Sequence, residues 1–362
     1  MIISGGGTGG HVYPAIAIAQ AFQQRFTKAE ILFVGALGKM EMQKVPEAGF
    51  QIEGLPIRGF QRKLTWANFS FPFKLLKSLI RSRTIVKEFK PDVAVGVGGY
   101  ASGPLLRVAV QKNIPAIIQE QNSYAGVTNK LLAGKVQKIC VAYPEMEKFF
   151  PPEKIVFTGN PVRKDILNLE TKKEIACEHF GLDAQLPVLL VLGGSLGAKT
   201  INASLCKGLK ALTEAGVQVL WQCGAFYHEE MKKCMNDLPK PHHIHLHPFI
   251  QAMDLAYAAA DVVISRAGAL SVSELSIAAK PTIFVPSPNV AEDHQTKNAM
   301  SMVSHKAALL VKDQMAKEQL IQEALSLLFD ESLKKELSEN MHKLAKPNAA
   351  EDIVNEIEKL IA

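Results

Sequence analysis

A chain of 362 residues is long enough for two domains with cores of their own, and 48% apolar against 21% charged residues excludes a disordered or fibrous protein. The formal net charge of +6 is mild and fits an anionic substrate, an anionic membrane surface, or nothing specific; no nucleic-acid partner is expected. Five cysteines, Cys140, Cys177, Cys206, Cys223 and Cys234, are odd in number and form no C-x-x-C pair, so reduced thiols in a cytosolic protein are expected. No basic-then-apolar leader opens the chain, and no apolar run of about 18 residues is present to span a bilayer.

The first strand, Met1-Ile2-Ile3, runs into Ser4-Gly5-Gly6-Gly7-Thr8-Gly9-Gly10-His11. A strand that short suggests a residue or two missing at the start. Val12, Ala15, Ile16, Ala19 and Phe22 then share one face of a helix. Strand, glycine loop and helix start together make an anion site: backbone N–H groups approach a negative oxygen closely, and the helix dipole adds favourable potential. Pro14 is expected in the first turn, where it costs nothing. His11 closes the loop with a group that takes a proton near neutral pH. Gly5, Gly7 and Gly10 also satisfy G-x-G-x-x-G, but the strand at 31–34 ends in Gly35-Ala36-Leu37-Gly38, without the acidic residue a nicotinamide site would use for the ribose. No Gly-Lys-Ser/Thr follows, so this is not a Walker loop.

Between Arg58 and Phe89, Phe60, Leu64, Trp66, Phe69, Phe71, Phe73, Leu75, Leu76, Leu79 and Ile80 are interleaved with Arg62, Lys63, Lys74, Lys77, Arg81, Arg83 and Lys87. From Phe73 onward this reads as an interfacial helix, with Lys74, Lys77 and Arg81 as probes, against packing in the N-terminal core. The strand at 93–97 leads to a second loop, Gly98-Gly99-Tyr100-Ala101-Ser102-Gly103-Pro104, and the strand at 116–118 to Gln119-Glu120-Gln121-Asn122. Strands at 138–142 and 155–158 precede Gly159-Asn160-Pro161-Val162-Arg163, the expected hinge. The second half restarts with a strand at 188–192 and a third loop, Gly193-Gly194-Ser195-Leu196-Gly197-Ala198. Strands follow near 217–220, 243–247, 262–264 and 282–285, then amphipathic helices from about 317 to 360. His243, His245 and His247 alternate on a strand, which reads as half-exposed rather than as a metal site, because nearby carboxylates are lacking. Small residues after the strand at 262–264, Arg266 to Glu274, open a helix whose amides suit a diphosphate and whose Glu274 suits two neighbouring ribose hydroxyls. The polar start Glu292-Asp293-His294-Gln295 suits a sugar. Alternation of strand and helix predicts α/β parallel structure, with two similar doubly wound domains facing across a cleft.

The ordered set Gly6-Gly7-Thr8-Gly9-Gly10-His11, Gly98 to Pro104, Glu120-Gln121-Asn122, Asn160-Pro161-Val162-Arg163, Gly193 to Ala198, Arg266 to Glu274 and Asp293-His294-Gln295 resembles the MurG family, the inverting N-acetylglucosaminyltransferases that convert lipid I to lipid II in peptidoglycan synthesis. The resemblance covers nearly the whole chain. It implies a GT-B architecture with an acceptor and membrane domain at 1–161, a UDP-sugar domain at 162–342, and a last helix at about 343–362 packing back on the first. It implies that Thr8, Gly9, Gly10 and Asn122 reach the donor from across the cleft. Arg163 and Ser195 would meet the diphosphate region and the Ile250 backbone the uracil. Ala269, Leu270, Ser271, Val272, Ser273 and Glu274 would hold diphosphate and ribose, and Gln295 the sugar. Gly98, Gly99, Tyr100, Ser102 and Glu120 fall to the acceptor. Two departures are visible: Gln119 stands where many relatives carry histidine, and His294-Gln295 where many carry Gln-Gln.

These readings converge on transfer of N-acetylglucosamine from UDP to the 4-hydroxyl of lipid I, with His11 as the base and Glu120 its competitor, without a cofactor or metal. Growing charge on the departing diphosphate is the main thing to stabilise, and helix amides with Arg163 supply that. No Asp-x-Asp occurs in the chain. The enzyme is expected at the cytoplasmic face of the bacterial cell membrane, peripherally bound. The alternatives are a related GT-B transferase with another acceptor, a sugar-nucleotide epimerase, and a non-enzymatic nucleotide-binding protein.

Overall fold

The computed structural model describes residues 1–57, 71–194, 196–236, 238, 241–290 and 293–362. The chain divides into two compact units, Met1–Val162 with Lys346–Ala362, and Arg163–Ala345.

In the first unit seven parallel strands lie in the order β3-β2-β1-β4-β5-β6-β7: β1 Ile2–Ser4, β2 Leu32–Ala36, β3 Gln51–Leu55, β4 Ala94–Gly96, β5 Ala116–Glu120, β6 Lys138–Val141 and β7 Ile155–Phe157. Helices α1 Gly9–Arg25, α2 Glu41–Glu47, α3 Phe71–Phe89, α4 Ser102–Gln111 and α5 Val127–Leu132 connect them. Strands covered on both faces are apolar along their length, which is why β4, with Val93 and Val97 on either side of it, reads as a run rather than an alternation. Ile3 lies opposite Phe33 and Val95, and these pack with Val12, Ile16, Ala19 and Phe22 of α1. The strand at β3 carries no signal that the sequence reading used. Pro14 differs from expectation. Helix α1 begins at Gly9, so Pro14 is its sixth residue, and its missing N–H deprives the Gly10 carbonyl of the usual helical donor.

The second unit repeats the plan with six parallel strands in the order β10-β9-β8-β11-β12-β13: β8 Val188–Leu192, β9 Gln218–Gln222, β10 Ile244–His247, β11 Val262–Ser265, β12 Thr282–Phe284 and β13 Leu309–Leu310. Its helices are α6 Lys173–Phe180, α7 Lys199–Glu214, α8 His228–Lys233, α9 Met253–Ala259, α10 Ala269–Ala278, α11 His294–Ser304, α12 Ala316–Phe329 and α13 Glu331–Leu344. Trp221 is wholly buried, and its indole N–H donates to Asn202 Oδ1 at 3.1 Å. Gly208 lets α7 approach α12, because a β-carbon there would overlap Ile321. The expectation of five reduced thiols is corrected here. Cys206 on α7 and Cys234 just after α8 are joined by a disulfide, while Cys140, Cys177 and Cys223 are free and buried.

The last helix, α14 Ala349–Ile361, belongs to the first unit, where Ile353, Val354 and Ile357 enter the core beside α1. Arg25 fixes it from outside, bonding Asn355 Oδ1 at 2.5 Å and Glu358 Oε2 at 3.0 Å. Among the described residues, no helix is long and apolar enough to cross a membrane.

Candidate active site

Ligands of doubly wound sheets gather beyond the carboxyl ends of the strands, where the strand order reverses. In the first unit that point lies between β1 and β4, the strands that carry the first two glycine loops. Met1 to Gly6 are buried, whereas Gly7 to His11 are open to solvent in part. Thr8 caps α1 with an extended backbone and makes no side-chain capping bond, so its hydroxyl does not cover the first helical amides of Gly9 and Gly10. His11 Nδ1 stands 3.1 Å from the Gly6 carbonyl and 3.2 Å from Thr8 Oγ1. A carbonyl only accepts, so the contact with Gly6 is a hydrogen bond in the Nδ1–H tautomer, in which Nε2 is the basic atom. The Nε2 edge of the ring faces the second loop: a β-carbon on Gly98 would lie 2.8 Å from His11 Cδ2 and 3.0 Å from Nε2. Gly98 and Gly99 have φ of 88° and 86°, and a β-carbon on Gly99 would overlap the Gly6 carbonyl. Tyr100 is exposed, whereas Ser102 is wholly buried and its hydroxyl does not reach the surface.

Glu120, at the end of β5, is buried. Its carboxylate accepts from the Asn122 N–H (3.1 Å) and Nδ2 (3.4 Å), the Gly126 N–H (3.0 Å) and Asn129 Nδ2 (2.8 Å). Burial raises its pKa, and these donors oppose the rise. With both oxygens engaged, Glu120 shapes the loop that presents Asn122. Gln119 is buried too; its Nε2 donates to Asn160 Oδ1 at 2.8 Å and its Oε1 accepts from Gln121 Nε2.

In the second unit the reversal lies between β8 and β11. The loop after β8 has positive φ at Gly194 and Gly197; Gly197 packs so closely on Cys223 and Gly224 that Gly197 and Gly224 have no room for a side chain, whereas Gly194 is open. Ser195 lies outside the described residues, as do 58–70 of the aromatic and basic stretch. Gln222, which the sequence reading passed over, joins two expected donor segments: its Nε2 donates to the Gly194 carbonyl at 3.1 Å and its Oε1 accepts the Ile250 N–H at 2.9 Å. After β11, Gly268 caps α10 in an extended conformation without a side-chain bond, which leaves the amides of Ala269, Leu270 and Ser271 at a helix start. Ala269 and Val272 are buried, while Leu270, Ser271, Ser273 and Glu274 are partly exposed.

Glu274 lies in the second turn of α10. Its Oε1 accepts from Arg163 Nε at 3.1 Å and its Oε2 from the Tyr257 hydroxyl at 2.9 Å. Burial raises the Glu274 pKa, and Arg163 and Tyr257 pull the other way. Tyr257 on α9 is a second residue the sequence reading missed; burial, reinforced by Glu274, keeps its hydroxyl protonated and therefore a donor. Arg266 holds the loop before α10, donating to the Val285 carbonyl (2.8 Å) and Asp313 Oδ1 (2.5 Å). Gln295 Oε1 accepts the Ser287 N–H at 2.8 Å, which ties α11 to the preceding turn. The alternating histidines divide: His245 and His247 lie on edge strand β10, His243 just before it, and burial lowers the pKa of the first two. Among the described residues, no group of three His, Cys, Asp or Glu is arranged to hold a metal ion.

Two doubly wound units of this kind, joined in one chain, are the GT-B architecture, and the family models that match the chain make the protein a glycosyltransferase of that class. The model of the glycosyltransferase family 28 N-terminal domain matches residues 1–141, and that of the family 28 C-terminal domain matches residues 188–357. A relative from Cytophaga hutchinsonii, named UDP-N-acetylglucosamine--N-acetylmuramyl-(pentapeptide) pyrophosphoryl-undecaprenol N-acetylglucosamine transferase, is 56% identical over 361 residues, which cover 100% of this chain and 96% of the relative. The crystal structure of MurG from Acinetobacter baumannii matches with a TM-score of 0.82 at 32% identity over 99% of both chains. The chain belongs to glycosyltransferase family 28 and, within it, to the MurG family. A UDP-GlcNAc 2-epimerase from Neisseria meningitidis, solved with UDP-GlcNAc, matches with a TM-score of 0.66 over 99% of both chains, but at 15% identity that likeness concerns the fold alone.

Proposed function

We infer that this chain moves N-acetylglucosamine from UDP-N-acetylglucosamine to the muramyl 4-hydroxyl of lipid I, forming lipid II with inversion in one displacement. The observation that carries the reading is the Glu274 carboxylate, set within the second turn of α10 and gripped by Tyr257 and Arg163. A carboxylate has about four acceptor positions. Two are used here, and two are left for the adjacent hydroxyls of a ribose. Diphosphate oxygens then meet the amides at the start of α10, whose dipole favours the charge that grows on UDP as the glycosidic bond breaks. Arg163 adds a fixed cation beside them, and the Gly193–Ala198 loop with Ser195 completes the diphosphate side. The uracil meets the Ile250 carbonyl more readily than its N–H, which Gln222 holds. Gln295 offers the sugar its Nε2 donor, since its oxygen is engaged by Ser287.

Thr8, Gly9 and Gly10 also belong to the donor in this reading, with Asn122 presented by Glu120. His11 Nε2 takes the proton of the acceptor hydroxyl as its oxygen attacks the anomeric carbon. The two acceptor loops divide the work: Gly98, Gly99 and Tyr100 face the acceptor, while buried Ser102 and Glu120 shape the loops. Lipid I keeps its tail in the bilayer, so the enzyme docks on the cytoplasmic face of the membrane. On α3, Phe73, Leu76 and Ile80 form one exposed stripe, and exposed Lys77, Arg83 and Lys87 flank it. Val127 and the 72%-exposed Leu131 add apolar surface on α5 of the same unit.

The test is incubation with UDP-N-acetylglucosamine and a lipid I analogue while UDP release is followed. Release that requires the acceptor supports the reading. An epimerase would alter the sugar with no acceptor present, and a binding module would release nothing.

A further inference from the structure

The Gly6–Gly7 peptide group is held at both ends. Its N–H donates to Glu41 Oε2 at 2.9 Å, and its C=O is the group 3.1 Å from His11 Nδ1. Glu41 is the first residue of α2 and is wholly buried; its other oxygen accepts the Ala36 N–H at 3.0 Å. Two glycines make room for it. A β-carbon on Gly6 would overlap the Glu41 carboxyl, and one on Gly35 would lie 2.6 Å from Glu41 Cγ. The glycine loop is therefore built over a carboxylate, and its Gly7 amide points inward rather than at a ligand.

We propose that Glu41 is a positioning residue for His11, acting through the Gly6–Gly7 peptide. Hydrogen bonds in a chain polarise one another, so an anion on the N–H end makes the carbonyl at the other end a stronger acceptor. A stronger acceptor holds the imidazole as its Nδ1–H tautomer and raises the basicity of Nε2, as a carboxylate does when bonded to a histidine directly. Thr8 Oγ1 and the Gly98 backbone also face the ring, with the Gln121 amide beyond Gly98. When the acceptor hydroxyl loses its proton to Nε2, the imidazolium formed still donates from Nδ1 to Gly6. The proposal rests on the reading of His11 as the base.

The experiment is nitrogen-15 NMR of the full-length enzyme with labelled histidine, in the wild type and in Glu41→Gln. Glutamine offers one acceptor oxygen where the carboxylate offers two, so the Gly7 or the Ala36 N–H loses its partner. In the wild type, neutral His11 is expected as the Nδ1–H tautomer. In Glu41→Gln the tautomers should mix and the His11 pKa should fall by about half a unit to one unit. Turnover should fall roughly 10–100-fold, the scale of losing a supporting hydrogen bond behind a functional histidine. KM for UDP-N-acetylglucosamine should hold, and Glu41→Gln should add no loss in a His11→Ala background. An Nε2–H tautomer in the wild type overturns the proposal even where the variant does not fold. An unchanged His11 tautomer and pKa in a folded Glu41→Gln overturns it too. If the ring responds to Glu41→Gln but His11→Ala keeps full turnover, the link between Glu41 and His11 stands and the base assignment falls.

Discussion

Removing the Glu274 carboxylate is the most direct probe of donor binding. In the free enzyme each oxygen already holds one donor, Arg163 Nε at 3.1 Å and the Tyr257 hydroxyl at 2.9 Å. Glu274→Ala therefore has two separable effects. The ribose loses a charged acceptor, which is worth about 1.5–3 kcal/mol, or roughly 10–100-fold in the Kd for UDP. The buried Tyr257 hydroxyl also loses its partner, which costs about 1–3 kcal/mol of stability. Arg163 contributes less to that second loss, because its side chain is 41% exposed and solvent takes over from the carboxylate. Glu274→Gln keeps the shape and one acceptor oxygen, so it should recover part of the affinity. Tyr257→Phe removes one donor to the carboxylate without removing the carboxylate, and should disturb affinity less than either. Titration calorimetry with UDP measures the affinities, and urea unfolding of the same proteins measures the stabilities. An unchanged UDP affinity in both Glu274 variants, with stability lowered as expected, would reduce the carboxylate to a brace for α9 and α10 and refute the ribose assignment.

Four further outcomes are expected. His11→Ala should lower turnover by about 10²–10⁴-fold with donor affinity near wild type; near-normal turnover and an unchanged pH–rate profile would exclude His11 as base. Turnover should survive EDTA, and loss restored by magnesium or manganese would reverse that view. Charge reversal at Lys77, Arg83 and Lys87 should weaken binding to anionic vesicles by about 1 kcal/mol per cation, less at high salt, while activity on a water-soluble lipid I analogue holds; Arg81 is a poorer probe because it pairs with Glu53 at 2.8 Å. Burial lowers the Lys280 pKa from 10.5 to about 8, and its ammonium donates to the Ala260 carbonyl at 2.8 Å. Below about pH 8 this lysine is charged in both folded and unfolded chains. Above that the folded form releases its proton first, so stability should climb by about 3 kcal/mol toward the unfolded pKa, and urea unfolding of Lys280→Met should show no such climb.

The architecture was legible because β1, β4 and β8 each end in glycines that open a helix, a pattern that survives without side-chain detail. Strand β3 was not, because Gln51-Ile52-Glu53-Gly54-Leu55 is an edge strand with little apolar periodicity, and β13 has only two residues. Glu274 stood out by its place after an apolar strand, but its partner Tyr257 lies in an alanine-rich helix and reads as ordinary core. Glu41 was hidden for a different reason. An acid at the start of a helix reads as a dipole complement on the surface, and nothing local says that this one turns back under the loop of another strand. The Cys206–Cys234 pairing joins residues 28 apart with no spacing motif, and composition argued for thiols instead.

The return of α14 to the first unit makes the second unit, in topological terms, an insertion. The chain leaves the first unit after Val162 and re-enters it at Lys346. The two crossings are neighbours there: a β-carbon on Gly159 would overlap that of Lys346, whose ammonium lies 4.3 Å above the Phe157 ring. Residues 163–345 can thus be cut out as one continuous piece. The remainder can be closed by a short peptide from Val162 to Lys346, but a simple truncation after Val162 would strip Ile353, Val354 and Ile357 from its core.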